Sequence, residues 1–243
     1  MENKKPWFMD WFDSPYYHEL YQHRDTSEAE RFIKNLLYFF QMAKGSKVFD
    51  LGCGAGRHVR SLASLGMEAL GMDLAENSIL EARKLGNEAF FVGDMRNDFP
   101  VSEMDFVFNL FTSFGYFDSE TENEKVLLNA FASLRSGGTI VIDFLNAEKV
   151  EKNLVAEEII DRNGRKYQIR RWISNQIIHK NIQFLDKDQK KWDITEKVQA
   201  LSRGTFCSLL AKAGFTVDSE FGNYNLAPFD SNSDRYIVLA KKP

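Results

Sequence analysis

Apolar residues along this chain follow two alternating rhythms. Strand-length runs (Val48–Leu51, Glu68–Met72, Ala89–Val92, Asp105–Asn109, Thr139–Phe144) are separated by stretches in which apolar residues return every three or four positions. Those stretches predict helices near 57–65, ended by Gly66, near 77–85, ended by Gly86, and near 121–134, opened by Thr121 with Glu124. Upstream, Ser27 with Glu30 reads as a capping box for a helix carrying Phe32, Ile33, Leu36, Leu37 and Phe40 on one face. Strands alternating with helices predict an α/β, doubly wound, mainly parallel sheet covered on both faces.

The rhythm changes after Phe144. Residues 150–200 read as an inserted antiparallel β subdomain with runs at Val155–Ile160, Lys166–Ile173, Gln176–Leu185 and Lys191–Leu201. Asn163-Gly164 between the first two is a strong hairpin signal. A last helix near 203–213, ended by Gly214, and the runs Phe215–Phe221 and Tyr236–Ala240 complete a seven-stranded sheet with an antiparallel pair. At the other end, residues 1–44 form an expected N-terminal helical cap. Its stretch 7–21 carries Trp7, Phe8, Trp11, Phe12, Tyr16, Tyr17 and Tyr21, an aromatic stripe suited to docking on a core or to closing one side of a pocket.

The chemistry concentrates where strands end. In Val48 to Gly56 an apolar strand ends in the carboxylate of Asp50 and runs into glycines at 52, 54 and 56. Such a turn permits positive φ, lets a ligand approach the backbone, and delivers N–H groups at a helix N-terminus. The next strand ends in Asp73, placed to accept from ribose hydroxyls, with Leu74 beside it. The third ends in Gly93-Asp94-Met95, an acid and an apolar side chain suited to an adenine. A nicotinamide dinucleotide would need a glycine where Arg57 stands, and Asp50 would repel a pyrophosphate while attracting an ammonium. The loop therefore favours a nucleoside with a positively charged tail.

Val48 to Gly56, Gly71-Met72-Asp73, Gly93-Asp94-Met95, Asp105 to Phe111 and Leu134 to Phe144 together resemble the ordered motifs of class I S-adenosylmethionine-dependent methyltransferases. The stretches Trp7 to Tyr21 and Asn109 to Tyr116 resemble small bacterial members with mostly unassigned substrates. The resemblance implies a Rossmann-like methyltransferase fold across residues 1–243, with S-adenosylmethionine as cofactor. It implies cofactor contacts from Arg24, Asp50, Gly52, Gly54, Gly56, Asp73, Leu74, Asp94, Met95 and Asn109, with Arg24 or Tyr21 reaching the methionine carboxylate. It names no catalytic residue. The sequence after Asn109 lacks both the Pro-Pro-aromatic pattern of base and glutamine methylation and the Pro-Cys pair of pyrimidine carbon methylation. Phe111, Phe114, Tyr116 and Phe117 are candidate walls for the acceptor, and Tyr167, Trp172 and Trp192 a candidate cover.

Bulk properties narrow the partners. The 243 residues carry a net charge of −4, which gives no general pull towards nucleic acid or an anionic membrane. No apolar run has the length of a membrane span, and Lys4 and Lys5 precede no apolar leader, so a cytoplasmic protein is expected. Cys53 and Cys207 read as reduced thiols, and His18, His23, His58 and His179 show no metal-ligand spacing. The expected activity is methyl transfer to a small-molecule acceptor by direct displacement, in a monomer or homodimer, with the insertion as a lid over the acceptor. Three other readings stay open: methylation of RNA or protein through the basic cluster Arg162, Arg165, Lys166, Arg170 and Arg171; nicotinamide-dependent redox chemistry; and a non-catalytic cofactor-binding module.

Overall fold

Both faces of the central sheet are buried, and the sequence shows this as near-continuous apolar strands. In the computed structural model, which describes residues 7–21, 26–84 and 89–243, Val48 packs with Phe32, Ile33, Leu36 and Leu62 on one side. Its neighbour Phe49 belongs to the separate core on the other side, which also holds Val126, Leu127 and Leu209. Strands buried on two faces belong to a parallel sheet clothed by helices.

The elements run α1 (Trp7–Phe12), α2 (Pro15–Leu20), α3 (Thr26–Phe40), β1 (Lys47–Leu51), α4 (Arg57–Ser64), β2 (Glu68–Asp73), α5 (Glu76–Lys84), β3 (Phe90–Val92), β4 (Met104–Asn109), α6 (Glu120–Ser133) and β5 (Leu134–Leu145). They continue as α7 (Ala147–Lys152), β6 (Glu157–Arg162), β7 (Arg165–Ser174), β8 (Ile177–Leu185), β9 (Lys191–Gln199), α8 (Arg203–Lys212), β10 (Thr216–Phe221) and β11 (Arg235–Lys241). The seven-stranded sheet has the order β10-β11-β5-β4-β1-β2-β3. β1 pairs in parallel with both β2 and β4, so the winding direction reverses between β1 and β4. A crevice opens at such a reversal, beyond the carboxyl ends of the strands. β11 runs antiparallel to β5, and β10 to β11.

Two helix starts differ from the sequence expectation. α6 begins one residue before Thr121, and its capping box is Ser119 with Glu122: the Ser119 hydroxyl accepts from the Glu122 N–H at 3.3 Å while Glu122 accepts from the Ser119 N–H at 3.2 Å. α3 begins at Thr26, which places Ser27 inside the first turn instead of at the cap. The short α7, capped by Asn146, had no periodic signal.

The insertion is a four-stranded antiparallel sheet, β6-β7-β8-β9. Asn163 and Gly164 (φ 52° and 83°) form its first turn, and Asn175 and Gln176 (φ 51° and 58°) its second. Two consecutive positive φ values match the twist of a hairpin. One face alternates inward with Tyr167, Ile169, Ile182 and Phe184, and its cover is α1 and α2, which contribute Trp11 and Leu20. The cap thus divides: α3 packs on the central sheet, whereas α1 and α2 close the smaller one.

Polar contacts fasten that union. Glu196 on β9 accepts from Trp11 Nε1 at 2.7 Å and from the Tyr21 hydroxyl at 2.7 Å, and Lys180 donates to Tyr21 Oη at 2.6 Å. Asp13 then ties the cap to the start of α5 through both the N–H and the side-chain amide of Asn77, each at 2.8 Å. Replacing Glu196 by Ala leaves the buried Trp11 donor and the half-buried Tyr21 donor without their acceptor, at a cost of about 1–3 kcal/mol. Hydrogen exchange should then quicken in residues 7–20 while the β1 and β4 amides keep their protection. Unchanged exchange in the cap would show that apolar packing alone holds it.

Candidate active site

A cavity of about 330 Å³ lies at the reversal point. Its floor is the turn from β1 into α4. Gly52, Gly54 and Gly56 all take positive φ (76°, 52° and 78°), and each does so for a different reason. A Cβ on Gly52 would stand 2.6 Å from that of Ser113, so the loop after β4 can press against the turn only if residue 52 has no side chain. A Cβ on Gly54 would meet nothing within 4 Å, because this residue faces the cavity. A Cβ on Gly56 would strike the Phe90 ring at 2.5 Å.

The turn is locked to the end of β2. Gly52 and Cys53 N–H groups both donate to the Met72 carbonyl, at 2.8 and 3.1 Å. The Asp73 carboxylate accepts from the Gly54 N–H through Oδ2 and from the Ala75 N–H through Oδ1, both at 2.8 Å. Burial raises the Asp73 carboxyl above its usual range, the two backbone bonds counter this, and the Asp50 charge adds to the rise. Asp73 also lines the cavity, and a carboxylate has about four acceptor positions, so two bonds leave it able to receive ribose hydroxyls. The Gly54 N–H, expected to face a ligand, is instead tied to Asp73.

Six of the expected cofactor residues line the cavity: Gly52, Gly54, Asp73, Leu74, Asp94 and Met95. Asp94 is gripped by Arg96, whose Nη2 stands 2.6 Å from Oδ2 and which also reaches Glu122 at 2.6 Å. Burial raises the Asp94 carboxyl, but the Arg96 bonds outweigh it and hold the group below its usual range. Three residues sit behind the cavity wall, not in it. Gly56 is a packing residue under Phe90. Asn109 is buried and donates its amide to the Leu51 carbonyl at 3.0 Å, tying β4 to β1. Asp50 is 1% exposed, and neither of its oxygens has a protein hydrogen bond; His58 Nδ1, 3.4 Å away, is its cationic neighbour when protonated. A buried carboxylate in that state favours positive charge nearby, but Asp50 does not itself line the cavity. Arg24 lies outside the described residues.

The cavity's upper wall comes from elements that motif reading left in doubt or missed. Phe8, Phe12, Tyr17, His18 and Tyr21 of the cap line it, and His18 Nε2 lies 3.3 Å from Ser78 Oγ on α5. Phe111, Thr112, Ser113, Tyr116 and Phe117 line the side after β4, whereas Phe114 is buried against Phe206. The proposed cover from the insertion does not form. Tyr167 is fully buried, Trp192 stacks on Phe184, and Trp172 stacks on His179 on the outer face. No insertion residue lines the cavity among the described residues. The aromatic stripe was the one available signal for the cap. Ser113 had none, since its role follows from its approach to Gly52.

The family model of a methyltransferase domain matches residues 42–200. The chain belongs to the class I S-adenosylmethionine-dependent methyltransferases. This methyltransferase is 26% identical over 124 residues to a dTDP-3-amino-3,4,6-trideoxy-alpha-D-glucopyranose N,N-dimethyltransferase of Streptomyces venezuelae, a match spanning 50% of this chain and about half (52%) of that protein. Its fold resembles an S-adenosylmethionine-dependent methyltransferase from Clostridium acetobutylicum (TM-score 0.79, 17% identity, 93% and 95% of the two chains). It also resembles the S-adenosylmethionine-bound amino pentose methyltransferase CalS10 from Micromonospora echinaspora (TM-score 0.69, 19% identity, 95% and 98%). The cleft fits the cofactor: a glycine cradle with open space above Gly54, a carboxylate at Asp73 on the cavity wall, and a second carboxylate, Asp50, buried behind it without a protein hydrogen bond.

The three glycines separate stability from binding. Gly56→Ala combines a left-handed penalty with a clash against a buried ring, and should cost about 2–4 kcal/mol in chemical denaturation. Gly54→Ala adds only the conformational penalty, about 1–2 kcal/mol, but puts a methyl group into the cleft and weakens cofactor binding. Equal denaturation midpoints for the two variants would contradict the assignment of Gly56 to packing.

Proposed function

We propose that this methyltransferase acts on a small-molecule acceptor held between the cap and the loop after β4, and that the acceptor nitrogen of an amino sugar is the first class to test. One observation carries the reading: Phe8, Phe12 and Tyr17 of the cap and Tyr116 and Phe117 of the loop line the same cavity as Gly54 and Asp73. Cofactor cradle and acceptor space are therefore a single chamber, walled by rings that accept the flat face of a small molecule and exclude water. The name of the Streptomyces venezuelae relative supports an amino-sugar acceptor.

S-adenosylmethionine supplies an activated methyl group on a positively charged sulfur, and the protein's task is alignment and desolvation. Asp73 and Leu74 hold the nucleoside side, Asp94 and Met95 the adenine edge, and the aromatic rings set the acceptor's line of approach. An amine that arrives protonated must lose that proton before attack. The imidazoles of His18 and His58, both in the cavity wall, are the groups able to receive it.

The basic cluster of the insertion gives little support to a nucleic-acid footprint. Arg165 pairs with Glu19, Arg171 with Glu158, Arg170 with Glu157 at 3.0 Å, and Arg162 donates to the Leu20 carbonyl at 3.3 Å. Arg165 and Arg162 thus tie the insertion to the cap, and Arg170 and Arg171 tie β7 to β6. No helix among the described residues is long and apolar enough to cross a membrane.

Transfer of labelled methyl from S-adenosylmethionine to a panel of amino sugars, with RNA and an unfractionated protein extract as parallel acceptors, tests the reading. Label appearing only in the RNA or protein fraction would reject it. Asp73→Ala should weaken cofactor binding by about 1–3 kcal/mol, seen in calorimetric titration. A folded variant with full affinity would remove Asp73 from the site.

A further inference from the structure

Phe111 and Thr112 stand consecutively in the left-handed region (φ 57° and 62°), where a bulky ring and a β-branched side chain are both disfavoured. Both line the cavity. Such a conformation persists only where the surroundings over-determine it. Here the polar attachments of the two residues converge on one buried pair. The Phe111 N–H donates to Asp143 Oδ2 at 2.8 Å, and the Thr112 N–H donates to the Asp143 carbonyl at 2.9 Å. Arg235 Nε donates to Asp143 Oδ1 at 2.7 Å while its Nη2 donates to the Thr112 hydroxyl at 2.8 Å. Tyr224 adds its hydroxyl to Asp143 Oδ2 at 3.2 Å and stacks its ring on Phe111, which stacks in turn on His58.

The sheet has no need of a charge at this place. Asp143 is fully buried on β5, among Ile140, Val141, Ile142 and Phe144, and opposite Ile237 on β11. A buried ion pair is weak as a source of stability compared with apolar packing, so its presence calls for another reason. Neither Asp143 nor Arg235 lines the cavity, yet both end on residues that do. Beyond Thr112, Ser113 donates to the Leu110 carbonyl at 2.9 Å and lies against Gly52. The position of the loop is thereby passed directly to the cofactor turn.

We propose that Asp143 and Arg235 are positioning residues for methyl transfer: their ion pair holds Phe111 and Thr112 in the left-handed conformation and so fixes the wall that the cofactor and acceptor share. The proposal rests on the assignment of this cleft to S-adenosylmethionine. Breaking the clamp lets the loop leave the binding-competent arrangement, and affinity falls by the fraction of time it is away.

The test is calorimetric binding of S-adenosylmethionine to the full chain in four forms: wild type, Asp143→Asn, Thr112→Gly, and the double variant. Asp143→Asn should weaken binding at least tenfold. Glycine adopts positive φ without a Cβ penalty, so the same Asp143→Asn change should cost threefold or less when residue 112 is already glycine, whatever Thr112→Gly costs alone. Equal losses in both backgrounds, or wild-type affinity in Asp143→Asn, would overturn the proposal. Hydrogen exchange gives a second reading: the Phe111 and Thr112 amides should lose protection while the β5–β11 ladder keeps it, whereas a merely structural pair would loosen the ladder. If Asp143→Asn does not melt cooperatively, Arg235→Lys replaces it in the same cycle. Lysine keeps a positive charge beside Asp143 but cannot also hold the Thr112 hydroxyl. A wild type that binds no S-adenosylmethionine would instead refute the cofactor assignment, and so the two failures are distinct.

Discussion

Three stretches of backbone must meet without side chains between them, and the cleft exists because they can. The turn after β1 hangs from the end of β2 by two N–H groups on the Met72 carbonyl and one on Asp73. Gly71 allows this, since a Cβ there would lie 2.8 Å from the Cys53 sulfur. Gly52 allows the loop after β4 to close from the other side against Ser113. Asp73 holds the start of the α5 turn with its second oxygen. Asp73, which lines the cavity, is thus also the residue that sets the spacing between two strand ends. The proposed binding role and the local architecture rest on the same carboxylate.

The upper half of the chamber depends on a different constraint. A four-stranded antiparallel sheet with one apolar face cannot remain uncovered, and the chain covers it with its own N-terminus. α1 and α2 therefore have two faces at work: one buries Trp11 and Leu20 against Tyr167, Ile169 and Ile182, while the other turns Phe8, Phe12 and Tyr17 to the cavity. The insertion supports the cap's wall of the cavity from behind. It also reaches the loop after β4, where Gln199 at the end of β9 donates to the Phe117 carbonyl at 2.9 Å and its N–H donates to the Gly115 carbonyl at 2.8 Å. A subdomain with no residue in the cavity thus supports both walls of it.

The parts of the site carried by local sequence were legible, and those carried by convergence were not. Gly54, Asp73, Asp94 and Met95 could be placed because each sits at a strand end, and strand ends in a parallel sheet share one edge. The same rule misplaced Asp50 and Asn109. Strand alternation and the polar ends of β1 and β4 could not show that one carboxylate lies beneath the turn and one amide bridges two strands. The cap's rings lie far upstream of the glycine turn, and only their docking on the insertion brings them over it. Asp143 read as one polar residue in a strand. Its role emerges only when Arg235, on a strand antiparallel to its own, comes to lie beside it.

Hairpin geometry supplies partners for much of the insertion's basic cluster. Arg170 and Arg171 look like a basic patch when counted along the chain, but register decides what faces them. A two-residue turn at Asn163-Gly164 requires Arg162 to sit opposite Arg165 and, counting outward, Glu157 to sit opposite Arg170. Directly opposed residues on neighbouring strands interact, as do diagonal neighbours two places along. Glu158, paired with Ile169, is therefore a diagonal neighbour of Arg171, and both ion pairs follow from the turn. Arg165 finds its acid on the cap, at Glu19, which no local rule supplies. Once these partners are placed, Arg165, Arg170 and Arg171 are each matched by an acid within the fold, so a count of charges along the chain overstates the basic patch that the surface presents.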